Sequence, residues 1–184
     1  MQGQPMQSDF SFRVMSLEFR LRDFFRPPER ILREAGIRNG MTVLDFGCGP
    51  GGFSMAAAKL VGPVGRIYAS DIHPLAVKSV QRAADKKGFS NIRTILGGRM
   101  ADVPGGIVDI ALLYDVLHDL HEPGLILVEL HRVLKSRGVL SVRDHHMEKA
   151  PLLSMIIGGG FFLLAGSNRR TFQFEKTETS EAVS

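Results

Sequence analysis

The sequence predicts an α/β protein: a mostly parallel seven-stranded sheet covered by helices on both faces, ending in an antiparallel hairpin. Short β-type runs alternate with helical patterns over residues 41–143. The run at 107–114 is almost continuously apolar, as expected of a central strand buried on both faces. Two β-type runs near the end, 161–165 and 171–174, are joined by a short connection containing glycine and asparagine, which is typical of a hairpin.

Length and composition are those of a single globular domain. The chain has 184 residues, of which 44% are hydrophobic and 23% charged, and these values exclude disordered and fibrous classes. Cys48 is the only cysteine, so a disulfide framework and a zinc site built from several cysteines are excluded. The formal charge is +4, but acidic and basic residues are interspersed, unlike the clustered basic face of a nucleic-acid binder.

The sequence predicts neither a targeting segment nor a membrane span. Residues 1–11 lack the basic start and apolar run of a secretory signal. The longest apolar stretch, 152–165, is interrupted by three glycines and is shorter than the roughly 20 residues that a spanning helix needs. We therefore expect a soluble, cytoplasmic protein.

The N-terminal segment, residues 1–38, has a helical pattern. Its apolar stripe consists of Phe12, Met15 and Phe19. Two consecutive prolines then interrupt the pattern. A second, short helix is predicted over 29–35, where Gly36 supplies a good helix-ending residue.

From residue 39 onward the predicted elements alternate regularly. Strands are predicted at 41–46, 65–70, 92–96, 107–114, 139–143, 161–165 and 171–174. Helices are predicted at 53–61, 74–87, 123–134 and 149–157; the second begins with a proline, which suits a first helical turn. In the helix 123–134 the expected packing residues are Leu125, Val128, Leu130 and Val133. The polar end, 178–184, is expected to fray.

The most informative stretch is the glycine-rich turn that follows the first strand. Its sequence, Gly47-Cys48-Gly49-Pro50-Gly51-Gly52, leads directly into a helix. Glycines permit positive φ angles and a close approach of the backbone to a ligand, and a helix start offers free N–H groups. Such a turn suits a nucleotide-like ligand at the carboxyl ends of the strands, and Asp71 at the end of the second strand suits its ribose hydroxyls.

The charge of Asp45 separates two classes of ligand. A dinucleotide-binding fold shares the glycine turn and the acidic residue after the second strand. In that fold a carboxylate two residues before the first glycine would face a pyrophosphate of the same sign. The sulfonium and amino groups of S-adenosylmethionine are positive, so Asp45 beside them is favourable.

At these residues the chain resembles class I S-adenosylmethionine-dependent methyltransferases. The resemblance covers about 29–176 and rests on the first motif at 43–54, Asp71, the strand 108–115, residues 134–140 and the terminal hairpin. It implies a three-layer Rossmann-like sandwich, with the cofactor-binding domain at 39–177. The small-molecule enzymes of the ubiquinone-biosynthesis and arsenite methyltransferase kind are the most similar subgroup. The single cysteine excludes the three-cysteine chemistry of arsenite methylation.

The resemblance also implies which residues bind the cofactor. The cofactor-binding set is Asp45, Gly47, Cys48, Gly49, Pro50, Gly51, Asp71, Ile72, His73, Gly98, Arg99 and Tyr114. The glycine turn would line the methionine part, Asp71 would hold the ribose, and Tyr114 would lie beneath the methyl donor. The acidic residue that many members place after the third strand is missing, since Gly97-Gly98-Arg99-Met100 stands there. Either a backbone group or Asp102 would then read the adenine.

Histidines and aspartates follow the fourth and fifth strands, and both loops are expected at the same edge of the sheet as the cofactor. The acceptor-side candidates are Tyr114, Asp115, His118, His145 and His146. The two loops together carry four histidines and three aspartates that could in principle bind a metal: His118, His121, His145, His146, Asp115, Asp119 and Asp144. The spacing of this set matches no metal motif, so no metal is expected. Substrate contact or removal of a proton from the acceptor is one interpretation, and helix capping and loop hydrogen bonds are the other.

We therefore expect an S-adenosylmethionine-dependent methyltransferase with a small-molecule acceptor. Methylation of RNA or protein, and a regulatory protein that binds the cofactor without catalysis, are the alternatives. No Asn-Pro-Pro-Tyr-like motif for flipped bases follows the fourth strand. Asp45 and the terminal hairpin disfavour a nicotinamide oxidoreductase. Residues 1–38 are expected either to pack as ordinary helix or to cover the substrate as a lid, and 156–164 either to belong to the core or to form a homodimer interface.

Overall fold

A computed structural model describes residues 28–97, 100–168 and 171–178 of the chain. Within them a seven-stranded sheet has the strand order β3-β2-β1-β4-β5-β7-β6. The first five strands are parallel, and β7 runs antiparallel between β5 and β6. The predicted α/β class with a reversed C-terminal hairpin is therefore confirmed. The predicted stripe of Phe12, Met15 and Phe19 lies outside the described residues.

The elements follow the predicted alternation. The strands are β1 (Thr42–Phe46), β2 (Arg66–Asp71), β3 (Ile92–Leu96), β4 (Val108–Tyr114), β5 (Leu134–Arg143), β6 (Phe162–Ser167) and β7 (Phe172–Lys176). The helices are α1 (Pro28–Glu34), α2 (Gly52–Val61), α3 (Pro74–Lys87), α4 (Pro123–Val133) and α5 (Lys149–Ile157), with a short 3-10 helix at Leu117–Asp119. In the described part of the chain, no helix is long and apolar enough to cross a membrane.

The core lies on both faces of the sheet, because side chains alternate along each strand. On β4, Ala111 and Leu113 join one cluster, which also holds the fully buried Phe162 and Phe174. Ile110 and Leu112 point to the opposite cluster, beneath α1 and α2. Buried faces on both sides explain why the sequence of β4 is almost continuously apolar.

The packing face of α4 differs from the predicted one. Leu130 and Val133 are buried as expected, but Leu125 and Val128 are exposed. The buried side chains of α4 are Leu127, Leu130, His131 and Val133. The helix has apolar residues on more than one face, so their spacing in the sequence alone did not identify the buried face. The buried imidazole of His131 donates from Nε2 to the Thr177 carbonyl over 2.9 Å, which ties α4 to the end of β7.

The start of β5 also differs from the predicted one. A helix to residue 134 and a strand from 139 were expected, whereas Leu134 already pairs with Val108. The register then shifts, and Val139 pairs with Ile110. Burial of Leu134 holds this first residue of β5 in the sheet, while the polar residues that follow project into solvent. Residues 156–164, predicted as core or interface, divide between buried Phe162 and exposed Leu163 and Leu164.

The carboxylate of Asp109 ties the start of β1 to β4, and we expect its removal to weaken the fold. Its Oδ2 accepts the Thr42 N–H at 2.8 Å, and Oδ1 accepts from Lys135 Nζ at 2.5 Å. Asp109→Ala leaves the partly buried N–H unpaired and should lower the free energy of unfolding by about 1–2 kcal/mol. Lys135→Ala removes a half-exposed ion-pair partner and should change it by less than about 1 kcal/mol. Urea titration measures both, and equal losses would contradict this ranking.

Candidate active site

Three glycines shape the turn between β1 and α2. Gly47, Gly49 and Gly51 have φ angles of 73°, 50° and 94°, which L side chains rarely adopt. A Cβ at Gly47 would lie 2.2 Å from Val116 Cγ2, and one at Gly51 would lie 2.8 Å from Val80 Cγ2. The turn is therefore packed against the loop after β4 on one side and against α3 on the other. Both positions require glycine.

Asp45 is a buried carboxyl directly beneath this turn. It is 2% exposed, and its Oδ2 accepts the Ser54 hydroxyl at 2.5 Å. Burial, together with the charge of Asp71, raises the pKa of Asp45 to about 6, although the hydrogen bonds from Ser54 oppose the rise. At neutral pH the carboxyl is ionised in a poorly solvated place. Such a group attracts a cation and repels an anion such as a pyrophosphate.

Asp71 connects the end of β2 to the glycine turn. Its two carboxylate oxygens accept the backbone N–H groups of Gly49 and His73, each at 2.8 Å. Burial raises the pKa of Asp71, and these hydrogen bonds oppose the rise. Because each oxygen has a second lone pair, the carboxylate retains capacity for two ribose hydroxyls.

The residues expected near the adenine occupy different environments. Ile72 is exposed beside Asp71, whereas His73 is buried and caps α3, its Nδ1 accepting the Leu75 N–H at 3.2 Å. Gly98 and Arg99 lie outside the described residues. Asp102 is exposed, and its Oδ2 lies 3.9 Å from Arg93 Nη2.

Cys48 and Pro50 belong to the body of the turn. The Cys48 side chain is buried against Ala69 and Val80. Burial, followed by the charges of Asp45 and Asp71, raises the pKa of this thiol well above its ordinary value. The thiol is therefore neutral and acts as a small packing group. The Pro50 carbonyl accepts the Ser79 hydroxyl at 3.2 Å, which fixes the turn to α3.

Tyr114 ends β4 with its phenol buried. The hydroxyl is 2.8 Å from Ser141 Oγ, and the ring packs edge-on against Phe53 at a centroid distance of 4.9 Å. Burial raises the pKa of Tyr114, so the phenol stays protonated. Gln173 donates to both Ser141 and Thr171 over 3.0 Å and extends this polar chain onto β7. Ser141 and Gln173 were not among the predicted site residues. The sequence signal that could have found them is a polar residue between the apolar residues of a strand.

The backbone changes direction sharply after β4, at Asp115. This residue has a φ of 56° and is the one non-glycine in the described residues with positive φ. Its Oδ1 accepts the His145 Nδ1–H at 2.7 Å, and its Oδ2 lies 3.7 Å from Arg143 Nη2. The acidic residue after β4 thus binds the histidine after β5.

A reciprocal pair joins the same two loops. Asp144 Oδ2 lies 2.8 Å from His118 Nδ1 and accepts the His118 backbone N–H at 3.1 Å. Asp144 Oδ1 accepts the His146 N–H at 3.0 Å. Burial alone would raise the pKa of Asp144, but the hydrogen bonds from His118 and His146 outweigh it and lower that pKa. Asp144, absent from the predicted set, is thus an ionised carboxylate with no exposed side-chain surface.

The structure brings the three predicted histidines together. The His146 ring lies 4.4 Å from that of His118 and 3.9 Å from that of His145, measured between centroids. In the described residues, no group of three or more His, Cys, Asp or Glu side chains has an arrangement that could hold a metal ion. Val116, two residues before His118, contacts the glycine turn, so the histidine cluster adjoins the predicted cofactor site.

This architecture is that of the class I, Rossmann-like methyltransferases. Its signature elements are the sheet with β7 reversed between β5 and β6, the glycine turn after β1 and the acidic end of β2. The chain belongs to the methyltransferase domain family, which matches residues 37–163.

Individual relatives agree with this assignment. A ubiquinone/menaquinone biosynthesis C-methyltransferase from Hydrogenovibrio crunogenus is 31% identical over 122 residues, 65% of this chain and 48% of that protein. Ribosomal RNA large subunit methyltransferase E from Cellvibrio japonicus is 35% identical over 123 residues, 61% of this chain and 57% of that protein. A SAM-dependent methyltransferase structure from Aquifex aeolicus matches with a TM-score of 0.71 at 25% identity, over 82% of this chain and 88% of that one. The chain spans about half the length of the curated relatives it matches.

Proposed function

We propose that this protein binds S-adenosylmethionine at the glycine turn and transfers its methyl group to a small-molecule acceptor. The observation that carries the proposal is the buried, ionised Asp45 beneath a turn that only glycine can form. A negative charge at that position favours a sulfonium and an ammonium group over a pyrophosphate. Membership of the methyltransferase domain family supports the same assignment.

The chain's own residues would act mainly by positioning. The bound cofactor supplies a methyl group that is already activated by the positive sulfur. The glycine turn and Asp45 would hold the methionine part, and Asp71 the ribose. The packed phenol of Tyr114 would lie beneath the methyl donor. The histidine loops would hold the acceptor at the carboxyl ends of β4 and β5. Alignment of donor and acceptor at about 3–3.5 Å provides most of the rate in such a displacement.

A small acceptor is favoured by the quinone C-methyltransferases among the relatives. The ribosomal RNA methyltransferase among them, together with a sequence pI near 9.5, keeps RNA as the second candidate. Incubation with methyl-labelled S-adenosylmethionine separates the two, with a reduced naphthoquinone and a large-subunit ribosomal RNA transcript as probes. We expect label in the naphthoquinone. Label in the RNA would contradict a small acceptor, and binding of S-adenosylmethionine without transfer to either probe would contradict the proposed activity.

Asp71→Asn is expected to weaken S-adenosylmethionine binding by about 10–100-fold, because hydrogen bonds to a charged acceptor contribute about 1.5–3 kcal/mol each. Asp85→Asn makes the same chemical change on the exposed face of α3 and serves as the matched control. Isothermal titration calorimetry measures both affinities. An unchanged affinity in Asp71→Asn would show that Asp71 does not hold the ribose.

A further inference from the structure

We propose that Arg143, the last residue of β5, binds a carboxylate group of the methyl acceptor, so that the acceptor is an anionic small molecule. This inference rests on the proposed function and deepens it, because it assigns the chemical class of the acceptor and a residue that selects it. The guanidinium is mostly buried, lacks close partners in the described part of the chain and lies beside Tyr114.

Arg143 carries a permanent charge in a mostly buried place. Its side chain is 17% exposed, and a guanidinium stays protonated in proteins. Burial of a charge costs free energy unless hydrogen bonds or an opposite charge compensate for it. Among the described residues the side chain has one polar contact, in which Nη2 lies 3.7 Å from Asp115 Oδ2. Because that distance exceeds the roughly 2.7–3.2 Å of a hydrogen bond, the guanidinium keeps its donors available.

Arg132 on α4 shows how this fold satisfies a guanidinium that needs no ligand. Its side chain is 38% exposed, and its nitrogens donate over 2.9–3.2 Å to the Glu129 carboxylate and to the carbonyls of Met100 and Val103. Arg143 is more deeply buried and has no such set of acceptors among the described residues. The planar fork of five N–H donors matches the two oxygens of a carboxylate. The missing partner is therefore an anion that arrives with a ligand.

The position of Arg143 relates it to the proposed acceptor site. Arg143 lies beside Tyr114 in the register of β4 and β5, and side chains of such neighbours point to the same face of the sheet. Ser141, two residues earlier on that face, is hydrogen-bonded to the Tyr114 hydroxyl. Burial raises the pKa of Tyr114, whereas the Ser141 hydrogen bond and the charge of Arg143 oppose the rise. The guanidinium thus acts on the phenol that would lie beneath the methyl donor.

The charges around Arg143 favour a carboxylate over a phosphate. Asp115 lies on one side of the guanidinium and is itself held by His145 at 2.7 Å, and the ionised Asp144 is the next residue in the chain. A phosphate monoester carries a charge of about −1.5 to −2 at neutral pH, which these carboxylates would repel. One guanidinium balances one negative charge. We therefore expect a monoanionic, planar group on the acceptor.

The test compares two naphthalenes that differ only in a ring carboxylate, 1,4-dihydroxynaphthalene and 1,4-dihydroxy-2-naphthoate. Both are titrated calorimetrically, under nitrogen at pH 7.5, into protein saturated with S-adenosylhomocysteine, whose neutral sulfur does not attract an anion. We expect the naphthoate to bind the wild-type protein about 10–100-fold more tightly, because hydrogen bonds between charged groups contribute this much. The preference should disappear in Arg143→Gln. It should persist in Arg137→Gln, which makes the same change at an exposed position of β5.

Further readouts separate recognition of the acceptor from other roles of Arg143. Arg143→Lys retains the charge but not the planar fork, so it should retain part of the preference. Affinity for S-adenosylhomocysteine should be unchanged in every variant. A loss of that affinity in Arg143→Gln, with 5′-methylthioadenosine still bound, would assign the guanidinium to the carboxylate of the cofactor and overturn the proposal. Loss of both adenosyl compounds would indicate damage to the fold, and Arg143→Lys then decides.

Equal affinities of the two naphthalenes for the wild-type protein, including no binding of either, would overturn the anionic acceptor class. A preference for the naphthoate that survives in Arg143→Gln would overturn the assignment to Arg143. Wild-type protein that binds neither S-adenosylmethionine nor S-adenosylhomocysteine contradicts the proposed function instead. The two naphthalenes are then compared on the protein alone, where the same Arg143-dependent preference would support the anion site and its absence would overturn it.

Discussion

Gly47→Ala should lower the free energy of unfolding by about 2–5 kcal/mol. At the φ of 73° of this residue an L side chain is strained by about 1–2 kcal/mol. The new Cβ would also lie 2.2 Å from Val116 Cγ2, and relief of such overpacking costs about 1–3 kcal/mol. Movement of Val116 would disturb the loop that carries His118, so we expect S-adenosylmethionine binding to weaken as well.

Two further variants divide this loss into its causes. Gly106 has a φ of 68° and open space where its Cβ would be, so Gly106→Ala should show the backbone strain alone. Val116→Ala combined with Gly47→Ala removes the two closest methyl contacts and should recover part of the overpacking loss, beyond the loss from Val116→Ala itself. Urea unfolding measures all of them. A Gly47→Ala protein as stable as the Gly106→Ala protein would show that Val116 does not enclose the turn.

Asp45→Asn should have opposite effects on stability and on ligand binding. The pKa of Asp45 is about 6, so the folded protein without ligand retains a proton that the unfolded chain releases near pH 4. The protonated Asp45 carboxyl stabilises the folded protein. This contribution is fully present below about pH 4 and is lost as the pH rises through about 6. Above that pH, ionisation of the buried group destabilises the fold by about 3 kcal/mol. Asparagine avoids this penalty, so the variant should be the more stable protein at pH 7.

The same substitution should weaken S-adenosylmethionine binding by about 10–100-fold at pH 7, because the negative charge beside the cationic ligand is lost. In the wild-type protein the affinity should fall as the pH drops below about 6, where Asp45 becomes protonated. In Asp45→Asn that dependence should disappear. Urea unfolding and calorimetric titration at pH 5 and pH 7.5 measure both effects, with Asp85→Asn as the surface control. A variant that is less stable and binds with unchanged affinity would contradict the role of the buried charge.

Much of the fold could be predicted from the sequence because the patterns that indicate its elements are local. The alternation of strands and helices, the glycine turn and the hairpin each depend on neighbouring residues. Tertiary contacts decided the exceptions. The exposed face of α4 also bears apolar residues, Leu125 and Val128, and only packing against the sheet shows that they are not the buried ones. The start of β5 at Leu134 depends on its pairing with Val108, a residue far away in the sequence.

The sequence predicted most residues of the candidate site, but not which of their side chains pair with one another. The glycine turn, Asp45 and Asp71 belong to continuous motifs, so the sequence indicates them directly. The histidine loops form two crossed pairs, with His118 on Asp144 and His145 on Asp115. This exchange depends on the register in which Tyr114 lies beside Arg143 at the ends of β4 and β5. The sequence spacing contains no such information, and Asp144 was therefore missing from the predicted set.

The central claim is that the turn after β1 holds a cationic adenosyl ligand, and calorimetric titration of the wild-type protein tests it most directly. S-adenosylmethionine, S-adenosylhomocysteine and NADH are compared at pH 7.5. We predict that both adenosyl compounds bind, that the positively charged sulfonium binds no more weakly than the thioether, and that NADH does not compete. Binding of NADH without a response to either adenosyl compound would contradict the account and assign the glycine turn to a dinucleotide.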